Sequence, residues 1–144
     1  MKTVAEILRS KLHAAVYSVS PETSVLDAIK LMAEKGIGAL VVLQNGRLAG
    51  IVSERDYARK VALLERSAFS AQVSEIMTAE VVTVGPSQSA QECMQLMTDR
   101  HLRHLPVMAE GELIGLLSIG DLVKETIAEQ ASLIQQLEQY IRGE

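Results

Sequence analysis

The sequence has no tryptophan, one phenylalanine (Phe69) and three tyrosines. A core must therefore be built from Val, Ile, Leu and Met, and a flat ligand would meet aliphatic side chains and backbone rather than stacked rings. The single cysteine, Cys93, excludes an intramolecular disulfide framework and points to a reducing compartment, the cytoplasm by default. Basic residues are outnumbered, 14 Lys and Arg against 18 Asp and Glu, for a net charge of −4. Proteins held on nucleic acid by phosphate contacts normally carry a basic surplus, so no nucleic-acid partner is expected. The longest apolar run, around Ile37–Leu43, falls short of the roughly 20 residues a membrane-spanning helix needs. Met1 to Glu6 include an acid and no apolar stretch, so no secretory signal is read there.

What is present is globular in composition, 48% hydrophobic and 22% charged, and the length suits one compact domain rather than two independent ones. The chain also repeats itself. Shifted by 65 positions, residues 16–61 fall on 81–126 without a gap. Val16-Tyr17-Ser18-Val19-Ser20-Pro21 lies on Val81-Val82-Thr83-Val84-Gly85-Pro86, and Leu40-Val41-Val42 on Leu105-Pro106-Val107. Gly46-Arg47-Leu48-Ala49-Gly50 lies on Gly111-Glu112-Leu113-Ile114-Gly115, and Ser53-Glu54-Arg55-Asp56 on Ser118-Ile119-Gly120-Asp121. A weaker echo precedes each copy, Val4-Ala5-Glu6-Ile7-Leu8 against Val73-Ser74-Glu75-Ile76-Met77, in a different register. A whole unit recurring at one offset marks a duplication.

Each copy reads as β-α-β-β-α. A short β-branched run stops at Pro21 or Pro86. Val25, Ala28, Ile29, Met32 and Ala33 then fall at helical spacing, with Thr23 or Ser24 as N-cap and Gly36 as C-cap. Their counterparts are Ala90, Met94, Leu96 and Met97, capped by Ser87 or Ser89. Strands at about 39–43 and 48–52 flank an Asn-Gly hairpin turn, repeated at about 104–108 and 113–117. Helices follow from Ser53 and Ser118. One such unit has too little sheet to close a core. The expected fold is therefore α/β, two β-α-β-β-α repeats packed sheet to sheet around a pseudo-twofold axis. The first repeat with an N-terminal helix takes residues 1–70. The second, with a long C-terminal helix, takes 71–144.

The Pro-terminated first strand, the central Leu-Pro-Val, the Gly-x-Leu-x-Gly hairpin and the Ser-x-x-Asp that opens the last helix occur in this order twice. That ordered set resembles the cystathionine-β-synthase-type (CBS) domains. Ser-Glu-Arg-Asp-Tyr at 53–57 resembles the stand-alone bacterial and organellar members. The resemblance implies a regulatory or signal-transducing module whose paired repeats form two clefts for AMP, ADP, ATP or related adenosyl ligands, NAD and S-adenosylmethionine included. It implies that the aspartate after the third strand holds the ribose hydroxyls. Carried onto this chain, one cleft combines Ser18, Ile37, Gly38 and Ala39 with Arg103, His104, Ser118, Gly120 and Asp121. The other combines Thr83, Leu102 and Arg103 with Ser53, Arg55 and Asp56.

The chemistry of those residue types agrees. A helix N-terminus offers free N–H groups and the positive end of a dipole. A carboxylate accepts from a ribose cis-diol, and arginine grips phosphate bidentately. Bland roles compete with each. Ser53/Asp56 and Ser118/Asp121 also have the spacing of a helix cap. Arg103 and His104 also suit a solvated turn and an edge histidine. Cys93 lies on the apolar face of its helix and reads as core, and the histidines have no second ligand cluster at metal spacing. Gly38-Ala39 stands where the second repeat has Arg103-His104, so the two sites should be unequal.

No Ser-His-Asp logic, P-loop or Rossmann glycine pattern is present, and no enzyme activity is expected. The expected function is a non-catalytic adenine-nucleotide sensor acting on an enzyme or transporter in trans. The alternative is a ligand-free interaction scaffold. An apolar stripe continues to Ile141 through Val123, Ile127, Leu133, Ile134, Leu137 and Tyr140, with Gly143 as a stop. Together with Val4, Ile7, Leu8 and Leu12 of the N-terminal segment, it is expected to build a homodimer.

Overall fold

The computed structural model describes residues 2–11 and 15–143; Leu12 of the expected N-terminal stripe lies outside them. The first repeat holds β1 (Ser18–Val19), α2 (Val25–Lys35), β2 (Ala39–Gln44), β3 (Arg47–Ser53) and α3 (Glu54–Tyr57), which runs into a π-helical turn at Ala58–Ala62. The second holds α5 (Ala90–Arg100), β4 (His104–Ala109), β5 (Glu112–Ser118) and α6 (Ile119–Arg142). Two short helices, α1 (Val4–Ser10) and α4 (Val73–Ile76), precede the repeats. The fold is mixed α/β with small sheets and a long C-terminal helix. Among the described residues, no helix is long and apolar enough to cross a membrane.

Local chemistry explains the elements. Ser24 and Ser89 cap α2 and α5 by accepting from the Asp27 and Glu92 amides. Thr23, the other candidate cap, instead accepts from the Ser20 amide in the preceding turn. Gly36 ends α2 in the left-handed region, as expected. Its counterpart His101 does the same with φ 55°, where a side chain is uncommon. Both hairpins turn through two residues of positive φ, Asn45-Gly46 and Glu110-Gly111, the combination that matches strand twist.

The first repeat forms a three-stranded sheet in the order β1-β2-β3, β1 parallel to β2 and β3 antiparallel to it. The second forms only the β4-β5 hairpin, with a single parallel bridge, Val84 to Val107, in place of the expected first strand. Pro106 accounts for the loss, because it has no N–H to offer the next rung of a parallel ladder.

In space the chain divides into two units. One gathers the described residues of Met1–Ala14, Thr83–Glu110 and Ile114–Glu144; the other consists of Ala15–Val82 and Gly111–Leu113. The helix that precedes the first repeat thus folds with the second. Thr3 bridges Ser89, and the Val4 and Ala5 amides donate to the carbonyls of Gln88 and Pro86 at 2.8 and 3.0 Å. Ahead of the second repeat, α4 serves the first in the same way. Gln72 bridges Ser24, and the Val73 and Ser74 amides donate to Thr23 and Pro21 at 2.8 and 2.9 Å.

The cores correspond position by position. Val25, Ala28, Met32, Leu40, Val42 and Val52 cluster with Val73 and Ile76 in one unit. Ala90, Cys93, Met97, Leu105, Val107 and Leu117 are buried with Val4 and Ile7 in the other. Cys93 occupies the place of Ala28, has no exposed surface, and burial raises its thiol pKa. It is a core side chain. Val4 and Ile7 are likewise interior, so this part of the N-terminal stripe is spent inside its own unit rather than on a second copy.

Candidate functional site

Each Ser-x-x-Asp run sits where a strand hands over to a helix. Ser53 Oγ accepts from the Asp56 amide at 3.2 Å, and Asp56 Oδ2 accepts in return from the Ser53 N–H and hydroxyl at 2.9 and 3.1 Å. Ser118 Oγ accepts from the Asp121 amide at 3.2 Å, and Asp121 Oδ2 accepts from the Ser118 N–H at 2.8 Å. Both runs are reciprocal capping boxes, so the structural role holds in each repeat.

A second shared bond ties the rest of the expected residues to these caps. The Glu54 amide donates to Gly38 O at 3.0 Å, and the Ile119 amide to Arg103 O at 2.8 Å. This sets Ile37-Gly38-Ala39 beside the start of α3, and Leu102-Arg103-His104 beside the start of α6. Ser18 pairs with Val41 on the adjoining strand, and Thr83 precedes the Val84 bridge; both are exposed. Within each unit, the expected residues of that repeat therefore collect at one end of the sheet. Ile37 packs on the core and Ala39 is 1% exposed, so what these two present there is mainly backbone. Gly120 lies on the first turn of α6, and an added Cβ would meet only Ser118 Oγ, at 3.5 Å. The fold does not demand glycine at that position.

Two lysines escaped the sequence reading. Lys60 Nζ lies 3.3 Å from Asp56 Oδ1 and donates to Ile76 O at 2.9 Å. Lys11 Nζ lies 3.0 Å from Asp121 Oδ2 and donates to Leu116 O at 2.8 Å. Lys60 was findable, four residues beyond Asp56 on the same helix face. Lys11 was not, being distant in sequence. The residue aligned with Lys60 is Glu125, which pairs with Lys2 at 3.5 Å, and Lys11, the residue that follows α1, supplies the missing cation instead. The two carboxylates differ as a result. Asp56 has both oxygens engaged, Oδ2 by Ser53 and Oδ1 by Lys60. Asp121 is held through Oδ2 alone; among the described residues, nothing bonds to its Oδ1.

The Asp121 side chain is 17% exposed and Lys11 23%. His104, half buried at the start of β4, belongs to the same neighbourhood. Burial lowers its pKa, Asp121 opposes that, and Arg103 and Lys11 add to it. The imidazole is therefore neutral near pH 7. Arg103 is exposed, and no ion pair joins it to a carboxylate among the described residues. The second repeat thus sets a fixed carboxylate with one open oxygen beside two cations and a neutral histidine. In the first repeat the positions of Arg103 and His104 are Gly38 and Ala39, and Arg55 is the exposed cation.

The family model for the CBS domain matches residues 4–63 and 73–128, and the chain belongs to that family. Among its relatives is the mitochondrial CBS domain-containing protein CBSX3 of Arabidopsis thaliana, 40% identical over 98% of this chain and 72% of its own length. A protein with CBS domains from Burkholderia ambifaria is 60% identical, with a TM-score of 0.87 over 90% of this chain and 96% of that one. A CBS domain pair crystallised with 5′-methylthioadenosine and S-adenosyl-L-methionine shares the fold at 20% identity, with a TM-score of 0.78 over 90% and 98% of the two chains.

Proposed function

We propose that this chain is a non-catalytic regulatory module that binds an adenine nucleotide, AMP, ADP, ATP or NAD, and signals in trans to an enzyme or transporter. The observation that carries the reading is Asp121. Its carboxylate is immobilised at a helix start, with one oxygen held by the cap and Lys11 and the other open. That is an acceptor pre-set for a ribose hydroxyl, with Arg103 and His104 nearby for phosphate. Ser18, Ile37, Gly38, Ala39, Ser118 and Gly120 complete the ligand contacts in this proposal. The weaker site takes Thr83, Leu102, Arg103, Ser53, Arg55 and Asp56, because both oxygens of its aspartate are already committed. Binding of adenosyl ligands by a distant member of the same fold supports the ligand class. We place the module as a homodimer in a reducing compartment, the cytoplasm, where buried Cys93 stays a thiol.

Titration calorimetry with AMP, ATP and NAD tests this directly. At least one nucleotide should bind, and Asp121→Asn should weaken it tenfold or more, by about 1.4 kcal/mol. Asparagine keeps an oxygen for the Ser118 N–H, which alanine would not, so it separates ligand contact from capping. Heat from none of the three nucleotides overturns the reading. It would then favour a ligand-free interaction scaffold, whose own supporting observation is the exposed stripe of α6.

A further inference from the structure

Only Leu122 of the 24 residues in α6 is buried, and from Ile127 to Arg142 the helix is exposed on every side. A free helix of that length is marginal in water, yet one face of it is apolar. Val123, Ile127, Ile134, Leu137 and Ile141 are 45%, 61%, 56%, 52% and 82% exposed. With Gln130 they fall at spacings of four and three residues throughout, a heptad seam with Ile127, Ile134 and Ile141 at a, and Val123, Gln130 and Leu137 at d. Leu133 and Tyr140, 54% and 83% exposed, flank the seam at g.

We propose that α6 pairs with α6 of a second copy of this chain, as a parallel two-stranded coiled coil. Three features specify that occupant. Isoleucine fills all three a positions and Leu137 one of the d positions, and β-branched residues at a with leucine at d favour two parallel strands. Seven apolar side chains of the seam and its flanks are 45–83% exposed, a contiguous apolar surface of roughly several hundred Å², the size that marks a protein–protein interface. Gln130 is the third. In a parallel pair it meets its own counterpart across the axis and the two amides can hydrogen-bond; an antiparallel pair would bury it against Ile134 with no partner. No charge of like sign faces another across the seam, since the flanking e positions hold Lys124, Ala131 and Glu138 and the g positions Ile119, Thr126, Leu133 and Tyr140.

The inference refines the homodimer part of the proposed function, and sedimentation of the whole chain at micromolar concentration tests the two separately. The wild-type chain should be a dimer. Ile134→Glu with Leu137→Glu should raise the dissociation constant by about 100-fold or more. Both side chains are exposed in the isolated chain, so the thermal transition of a diluted sample should be unchanged. Gln130→Leu should tighten the dimer. Gln130→Cys should cross-link to itself on mild oxidation, with buried Cys93 left out. A double glutamate variant that remains dimeric overturns the helix pairing and leaves the homodimer standing. A monomeric wild-type chain overturns both, and a dimer that the residue-130 cysteine fails to cross-link overturns the parallel register.

Discussion

His104 shows how one side chain acquires its behaviour from its neighbours. Burial disfavours its charged form, and Arg103 and Lys11 repel it further, against the pull of Asp121. A histidine whose folded pKa is depressed binds fewer protons folded than unfolded. Its contribution to stability is full above about pH 6.5, the ordinary value, and is lost as pH falls through the folded-state value. An anion placed beside it reverses the preference, raising the pKa in the complex. Nucleotide affinity should therefore increase as pH falls below neutrality, and His104→Gln should flatten that dependence in calorimetry while removing the acid-side loss of stability. An unchanged pH profile in the variant would separate His104 from the ligand. Position 104 was readable as a candidate from the family resemblance, and the repeat set it against Ala39. The direction of its pKa was not, because burial, the largest cause, is set by tertiary packing, and Lys11 arrives from the far end of the sequence.

Elements in the two repeats are laid out alike, but their contacts are made by different atoms. Gly50 on β3 and Gly115 on β5 are aligned, the first crowded by the residues that follow α4 and the second by Leu8 of α1. A Cβ on Gly50 would come within 2.8 Å of Met77 Sδ and of the Thr78 carbonyl oxygen; on Gly115 it would come within 2.7 and 2.9 Å of the Leu8 methyls. The Thr78 oxygen cannot retreat, because Thr78 and Ile51 exchange both backbone hydrogen bonds at 2.9 and 3.0 Å. Leu8 can turn to another rotamer. Gly50→Ala should cost about 2–3 kcal/mol and Gly115→Ala about 1 kcal/mol. Urea unfolding would show the difference in midpoints, and equal costs would mean that Leu8 is as fixed as backbone. Strand, helix and hairpin positions were legible because periodicity, caps and Asn-Gly act locally. The missing strand of the second repeat was not, although its cause, Pro106, stood in the aligned Leu-Pro-Val.

For the whole molecule, the main consequence of the duplication is an exchange. The echo Val4-Ala5-Glu6-Ile7-Leu8 was visible in the sequence, but order along the chain assigns that helix to the repeat it precedes. In space it completes the other one. Nothing local carries that information, because α1 and α4 have the same apolar pattern and either could fill the same groove. The exchange also places Lys11 on Asp121, so the candidate ligand site of the second repeat depends on the extreme N-terminal segment. Removing residues 1–11 takes away the buried Val4 and Ile7, worth about 1.5–3 kcal/mol each, together with the Thr3–Ser89 bridge and the Lys11 ion pair. Hydrogen exchange on the shortened chain should therefore show protection falling across 90–118 while 25–53 keeps most of its own. Replacing Val73 and Ile76 by alanine should give the opposite pattern, since those side chains belong to the core of the first repeat. Loss of protection confined to 25–53 after the N-terminal deletion would place α1 with the repeat it precedes and refute the exchange.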